Sequence, residues 1–205
     1  MHPLIGLLIA YLAGSVPFAY LAGKARGIDL RQHGSGNLGS SNAVRVLGKR
    51  VGAVVYIGDT LKGLLPVVLL PPLVKTDQPH LWAIAFGVAA VLGHLRPIYL
   101  LGKGGGKGVA TAGGVFLGLA WLPTLVAVAV FSLTILITRI SSVASLLAAT
   151  TLPIAIFFYA GPGDPLFALS VFMMLLVIWT HRTNISRLRR GEEPRVGRRV
   201  EVSAQ

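Results

Sequence analysis

The 205-residue chain is 54% hydrophobic and only 13% charged, with a mean hydropathy of +0.72; soluble domains carry about 25% charged residues, so an ordinary water-soluble globule is excluded, and so is intrinsic disorder. Its 19 Lys and Arg against 7 Asp and Glu give a net charge of +12, which suits an anionic partner such as nucleic acid, lipid or a charged substrate. Without cysteine there is no disulfide framework, no thiolate nucleophile and no Cys-ligated metal.

A helix needs about 20 mostly apolar residues to cross a bilayer. Residues 3–23 carry no charge and predict a first span. The segment opens on His2-Pro3 rather than on basic residues and lacks an A-x-A site, so it reads as a retained helix, not a signal peptide. Residues 51–74 predict a second span, with Asp59 and Lys62 inside it at i and i+3, the spacing of a paired polar contact. Residues 81–101 predict a third. His94, near its end, reads as a satisfied interfacial histidine, and the five histidines show no metal-ligand spacing.

The uncharged run 108–138 falls between one span and two at about 1.5 Å per residue. A turn at Trp121-Leu122-Pro123 divides it into two short helices, followed by spans at 140–160 and 165–180. This division puts 17 of the 19 basic residues on one side, as the positive-inside rule requires, whereas a single span would separate Arg139 and the tail from the first two loops. The prediction is an all-α polytopic membrane protein with seven transmembrane helices, N-terminus outside and C-terminus cytoplasmic. One integral membrane domain covers 1–185, and a basic cytoplasmic tail covers 186–205, partly disordered and suited to anionic lipid. No nucleic-acid partner and no metal are expected.

Three constellations on the basic side could carry chemistry. In His33-Gly34-Ser35-Gly36-Asn37-Leu38-Gly39-Ser40-Ser41-Asn42-Ala43-Val44-Arg45, residues 34–39 match G-x-G-x-x-G, but no βαβ unit surrounds them, so the dinucleotide reading fails. Two readings stay open: a turn with an N-cap for the helix through Val44, or a loop whose amides, with Ser35, Asn37 and Asn42, receive an anion. In Gly102-Lys103-Gly104-Gly105-Gly106-Lys107-Gly108-Val109-Ala110-Thr111 the glycines let backbone N–H groups approach phosphate, with two lysines and a helix N-terminus beside them. It is not a Walker A loop, because Leu101 and Gly108 stand where that pattern needs Gly and Ser or Thr. The bland reading is a flexible turn bearing two topology signals. In His181-Arg182-Thr183-Asn184-Ile185, His181 and Asn184 share a face of a continuing helix and could converge on one ligand, or His181 is simply stabilised at a helix end. Ser141 and Ser142 read as N-cap residues.

Together with Ser142-Val143-Ala144-Ser145, these motifs resemble the bacterial membrane acyl-phosphate:glycerol-3-phosphate acyltransferases, over the chain from the first span to about Glu193. One departure is visible: the family usually reads Lys-Gly-Gly-Lys-Gly, and this chain has an extra glycine between Lys103 and Lys107. The resemblance implies transfer of a fatty acyl group from acyl phosphate to the 1-hydroxyl of sn-glycerol 3-phosphate, giving lysophosphatidic acid and phosphate, without a cofactor. It implies a site on the cytoplasmic side of the bacterial inner membrane and functional coupling to the enzyme that makes acyl phosphate. By the same resemblance Ser35, Arg45, Lys107, Ser142, His181 and Asn184 surround glycerol phosphate, Asn37 orders the first loop, and Gly104, Gly105, Gly106 and Gly108 hold the acyl-phosphate head. The catalytic group is then His181, as base or orienter, with Ser142 and Lys107.

Acyl phosphate is an activated anhydride, so direct attack by the substrate hydroxyl suffices and no protein nucleophile is needed. The proton goes either to His181 or to the donor's own phosphate; both routes stay open at this stage. The alternative from another class is an organic-anion or phosphate-ester transporter, against which stand the clustering of the glycine motifs at one face and the absence of a repeat. A metal-dependent lipid phosphotransferase needs more membrane-embedded acids than this chain has.

Overall fold

A computed structural model describes residues 1–196, and among these all regular structure is helical. The helices are α1 (Pro3–Ser15), α2 (Phe18–Lys24), α3 (Ser40–Leu47), α4 (Lys49–Leu69), α5 (Pro79–Leu95), α6 (Val109–Leu119), α7 (Trp121–Thr138), α8 (Ser141–Ala160), α9 (Pro165–Thr180) and α10 (Arg182–Arg189). Short 3-10 turns follow α4 at Pro71–Leu73 and α5 at Ile98–Leu100.

Proline and glycine set most of the boundaries. Pro3, Pro79 and Pro165 open α1, α5 and α9, where the missing N–H costs nothing. Asp164 caps α9 by accepting the Leu166 N–H at 2.8 Å. Gly48, at φ +91°, separates α3 from α4, a conformation that a side chain would strain. Pro17 breaks the first predicted span into α1 and α2, because it cannot donate to the helical ladder.

Five stretches are long and apolar enough to cross a membrane: Pro3–Lys24, Lys49–Leu73, Pro79–Leu100, Trp121–Thr138 and Ser141–Ala160. A sixth is Pro165–Thr180 taken with Arg182–Arg189, bent by 57°. The shorter apolar helix α6 has 11 residues, about 16 Å at 1.5 Å per residue, well short of a hydrocarbon core of about 30 Å. Five or six full-length spans therefore stand where the sequence predicts seven. The 108–138 run does divide in two, but at Ala120: Trp121, Leu122 and Pro123 form the first turn of α7 rather than the connection.

The described chain forms two compact units, Met1–Val115 and Phe116–Val196. In the first, α1 packs along α5, α4 packs on α5, and α3 on α4. The crossings are built on small residues: a methyl at Gly14 would collide with the Ala90 backbone, and one at Gly93 with the backbone of Tyr11 and Ser15. Leu4, Leu8, Val54 and Ile57 point outward, as they should where lipid is the solvent and close backbone approach holds the helices together. In the second unit α7, α8 and α9 pack in sequence order, with α10 bent 57° from the α9 axis. Outward-facing Leu136, Ile137, Phe158 and Trp179 again present an apolar surface.

Candidate active site

The candidate residues fall into two groups, one in each unit. In the first unit, residues 25–39 form an irregular loop leading into α3. The buried Asn42 side chain organises it: Oδ1 accepts the Ser35 N–H at 2.9 Å, and Nδ2 donates to Leu30 O at 3.2 Å and His33 O at 3.0 Å. Gly34 and Gly36 adopt positive φ, so the turn requires them. The N-cap of α3 is Gly39, which makes no side-chain cap, and Asn42 sits inside the helix. Ser35 is exposed, Asn37 and Arg45 are half-buried, and Arg45 lies in the last turn of α3.

Asp29 and Arg31 brace the same loop. The guanidinium meets the carboxylate through Nε and Nη2 at 2.7 to 3.1 Å. The Arg31 hydrogen bond, outweighing desolvation, holds the Asp29 carboxyl below its usual range. The Arg31 guanidinium also lies 5.2 Å from the Tyr20 ring centre.

The glycine loop, residues 101–108, lies against the first loop and the end of α5. Gly104 sits under the Arg31 stem and Leu38, and a methyl on Gly105 would strike the carbonyls of His94 and Leu95. Gly102, Gly104 and Gly108 have positive φ. Gly106 N–H donates to His94 O at 3.3 Å. Lys107 is half-buried while Lys103 is exposed, which sets the two lysines of the motif apart. The loop ends where α6 begins at Val109, so the amides of that first turn lie within the motif.

In the second unit Ser142, His181 and Asn184 are all buried. Ser142 is not an N-cap: Ile140 holds that position and Ser142 is inside the first turn of α8. His181 and Asn184 do not ride on one continuous helix either. α9 stops at Thr180, the axis bends by 57°, and His181 is the joint between α9 and α10. His181 Nδ1 lies 2.8 Å from Val177 O. A carbonyl can only accept, so Nδ1 carries the proton and a neutral imidazole has its lone pair on Nε2.

Glu193, which the sequence presents only as one of three acids in a basic tail, is the partner at the centre of this group. Asn184 Nδ2 donates to Oε1 at 2.5 Å and Arg187 Nε donates to Oε2 at 2.8 Å. Its side chain is only 5% exposed. Burial alone would raise its pKa, but the hydrogen bonds from Asn184 and Arg187 outweigh it and hold the carboxyl below its usual range. Ser142 Oγ is buried and makes no hydrogen bond of standard geometry, yet it lies near enough to favour the ionised carboxylate. Val196 N–H donates to Arg139 O at 2.6 Å, so the start of the tail, expected to be partly disordered, is docked; the remainder, 197–205, lies outside the described residues. Among the described residues there is no cluster of His, Asp or Glu suited to a metal.

The first group can receive phosphate on backbone amides and cations, and the second can donate and accept protons through serine, asparagine and histidine. The chain matches the family model for glycerol-3-phosphate acyltransferase over residues 4–191. It is 44% identical over 198 residues to a glycerol-3-phosphate acyltransferase of Prochlorococcus marinus (strain NATL1A), covering 95% of this chain and 98% of that one. It is 48% identical over 186 residues to one from Geobacter metallireducens, covering 91% and 93%. The fold superposes with a TM-score of 0.87 on the crystal structure of PlsY, an integral membrane glycerol 3-phosphate acyltransferase, in its glycerol 3-phosphate form, at 36% identity and over 95% and 96% of the two chains. The lysophosphatidic acid form of that enzyme gives 0.84 at 35% identity, over 96% of each. These likenesses decide the class against an anion transporter and a metal-dependent phosphotransferase: the chain is an integral membrane acyltransferase, and it belongs to the glycerol-3-phosphate acyltransferase family.

Proposed function

We propose that the enzyme transfers a fatty acyl group from acyl phosphate to the 1-hydroxyl of sn-glycerol 3-phosphate, releasing lysophosphatidic acid and inorganic phosphate. The observation that carries this reading is the glycine loop at 101–108, with its positive-φ glycines, half-buried Lys107 and helix start at Val109. Such a loop presents amides and a cation to a phosphate leaving group. In this reading the amides of Gly104, Gly105, Gly106 and Gly108 hold the donor phosphate. Ser35, Arg45, Lys107, Ser142, His181 and Asn184 bind glycerol 3-phosphate, and Asn37 helps to order the first loop.

The substrate hydroxyl attacks the acyl carbonyl carbon, the C–O bond to phosphate breaks, and phosphate leaves with its electron pair. Donors placed around the carbonyl oxygen stabilise the charge that develops there. The hydroxyl proton goes to Nε2 of His181 or to an oxygen of the departing phosphate; His181→Gln at saturating substrates separates the routes, since near-normal turnover leaves only the phosphate. No metal or cofactor takes part. The domain spans 1–185, the basic tail 186–205, and α6 is a short seventh crossing that keeps Arg139 and the tail on the side of the first two loops. That side is the cytoplasmic face of the bacterial inner membrane, with the N-terminus outside, where water-soluble glycerol 3-phosphate meets a lipid-borne donor supplied by the enzyme that makes it.

The test is phosphate release from palmitoyl phosphate by purified protein in lipid, with and without glycerol 3-phosphate. Release that requires glycerol 3-phosphate, accompanies lysophosphatidic acid formation and collapses in Lys107→Ala and Arg45→Ala is expected. Acyl transfer from acyl-CoA but not from acyl phosphate would overturn the donor assignment.

A further inference from the structure

Beneath the glycine loop lies a buried charged network that the reaction as described does not use. Lys62 Nζ sits 2.7 Å from Asp59 Oδ1, with side chains only 6% and 3% exposed. The ammonium also donates to Val16 O at 2.8 Å, a carbonyl released where Pro17 breaks the first span. Phe18 covers it, with the ring centre 5.7 Å from Nζ. On the other side of Asp59, His94 Nδ1 lies 3.7 Å from Oδ1. The opposite nitrogen of His94, Nε2, faces Gly106 so closely that a methyl there would overlap it. A small cavity runs through this arrangement, lined by Asp59, Lys62, His94 and Gly104, Gly105 and Gly106.

Placing two charges and an imidazole in the interior of a membrane protein is costly, and hydrophobic residues of the same volume would pack there without that cost. What the network supplies is a fixed plane for the imidazole. Asp59 faces one ring nitrogen across 3.7 Å and acts on it by charge, Lys62 pins Asp59, the broken helix pins Lys62, and the other ring nitrogen forms the surface on which Gly106 rests. The His94 carbonyl meanwhile receives the Gly106 N–H. One residue thus touches the loop by ring and by backbone.

We infer that His94, oriented by the Asp59–Lys62 pair, is a positioning residue for the glycine loop, setting the direction of its amides toward the phosphate ester it binds. This rests on the reading of that loop as the acyl-phosphate site. The two ring nitrogens allow the idea to be separated from a general loss of structure. A glutamine places its terminal amide near the Nε2 position and keeps the support under Gly106. An asparagine reaches only the Nδ1 position, keeping Asp59 company while leaving the loop unsupported.

The experiment measures kcat and KM for palmitoyl phosphate and for glycerol 3-phosphate, with thermal stability, for the full-length protein in lipid nanodiscs carrying His94→Gln, His94→Asn, Asp59→Asn and Gly106→Ala. His94→Asn is expected to raise KM for palmitoyl phosphate about tenfold, and His94→Gln less than about threefold, with KM for glycerol 3-phosphate and the melting temperature little changed. Asp59→Asn, which keeps volume but strands Lys62, is expected to raise the donor KM as His94→Asn does, at a lower melting temperature; the Asp59→Asn, Lys62→Met double variant serves in its place if that variant does not fold. If Gly106→Ala raises the donor KM while His94→Asn and Asp59→Asn leave it unchanged, the inference falls and the loop assignment stands. A Gly106→Ala enzyme with both KM values unchanged removes the loop assignment itself and the inference with it.

Discussion

The Asn184 amide donates to the Glu193 carboxylate across nine residues of sequence, and that bond turns the start of a basic tail into a wall of the second candidate group. Arg187 holds the other carboxylate oxygen. Glu193→Gln removes the charge and turns one of the two acceptor oxygens into an NH2 donor, so either Asn184 or Arg187 loses its acceptor. It is expected to cost about 2 kcal/mol, the scale of hydrogen bonds to a charged group, and to lower activity through misdirected Asn184. Thermal melts in detergent together with initial rates check both effects.

The same carboxylate gives a pH dependence of definite sign. Its pKa in the folded protein lies below the ordinary 4.5, so the unfolded chain binds the proton more readily. The stability it contributes is present above the unfolded value and is lost as pH falls through the folded one. The melting-temperature gap between wild type and Glu193→Gln is therefore expected to hold from neutrality down to about pH 5 and to close below that. A gap that widened on acidification would contradict the assignment.

Asn42 carries three hydrogen bonds within the first loop. Asn42→Ala leaves the Ser35 N–H and two carbonyls without that partner, a loss of about 2 to 3 kcal/mol given that single unsatisfied groups cost roughly 1 to 3. Because Ser35 is displaced with it, the KM for glycerol 3-phosphate is expected to rise more than that for palmitoyl phosphate. Steady-state kinetics with each substrate varied in turn tests this.

Removing one member of the Asp59–Lys62 pair strands the other inside the membrane domain. Lys62→Met alone is expected to destabilise by about 4 kcal/mol, whereas the Asp59→Asn, Lys62→Met double variant recovers a large part of that. Simple additivity in a thermal or denaturant melt would show that the two charges are independent.

Gly14 and Gly93 let the backbones of α1 and α5 touch. Gly14→Val is expected to separate them and cost about 3 kcal/mol or more, read as a lower melting temperature and less folded protein in the membrane. An equivalent change at Gly113, where no neighbour lies within 4 Å, serves as the control.

The class of protein was already present in the sequence. Apolar runs at 3–23, 51–74, 81–101, 140–160 and 165–180 each became helix, because hydropathy over about 20 residues reports a preference for lipid that local structure cannot reverse. The Asp59–Lys62 contact was legible too, since i and i+3 share a helix face. The glycine motifs and their order were enough to place the chain in its family, because left-handed glycine loops write a distinctive composition.

Other features were decided only by tertiary structure. Pro17 signals a break, but the sequence does not say that Lys62 will donate to the carbonyl of Val16, forty-six residues before it. His94 looked interfacial because sequence gives depth along a helix but not the face it turns inward; packing placed it beside Asp59 and under Gly106. Glu193 stood in the sequence as one acid of a basic tail, and only the turn after α10, at positive-φ Gly191, returns it to Asn184. Such polar partnerships join residues distant in sequence, and neither hydropathy nor helical periodicity carries information about pairing between segments.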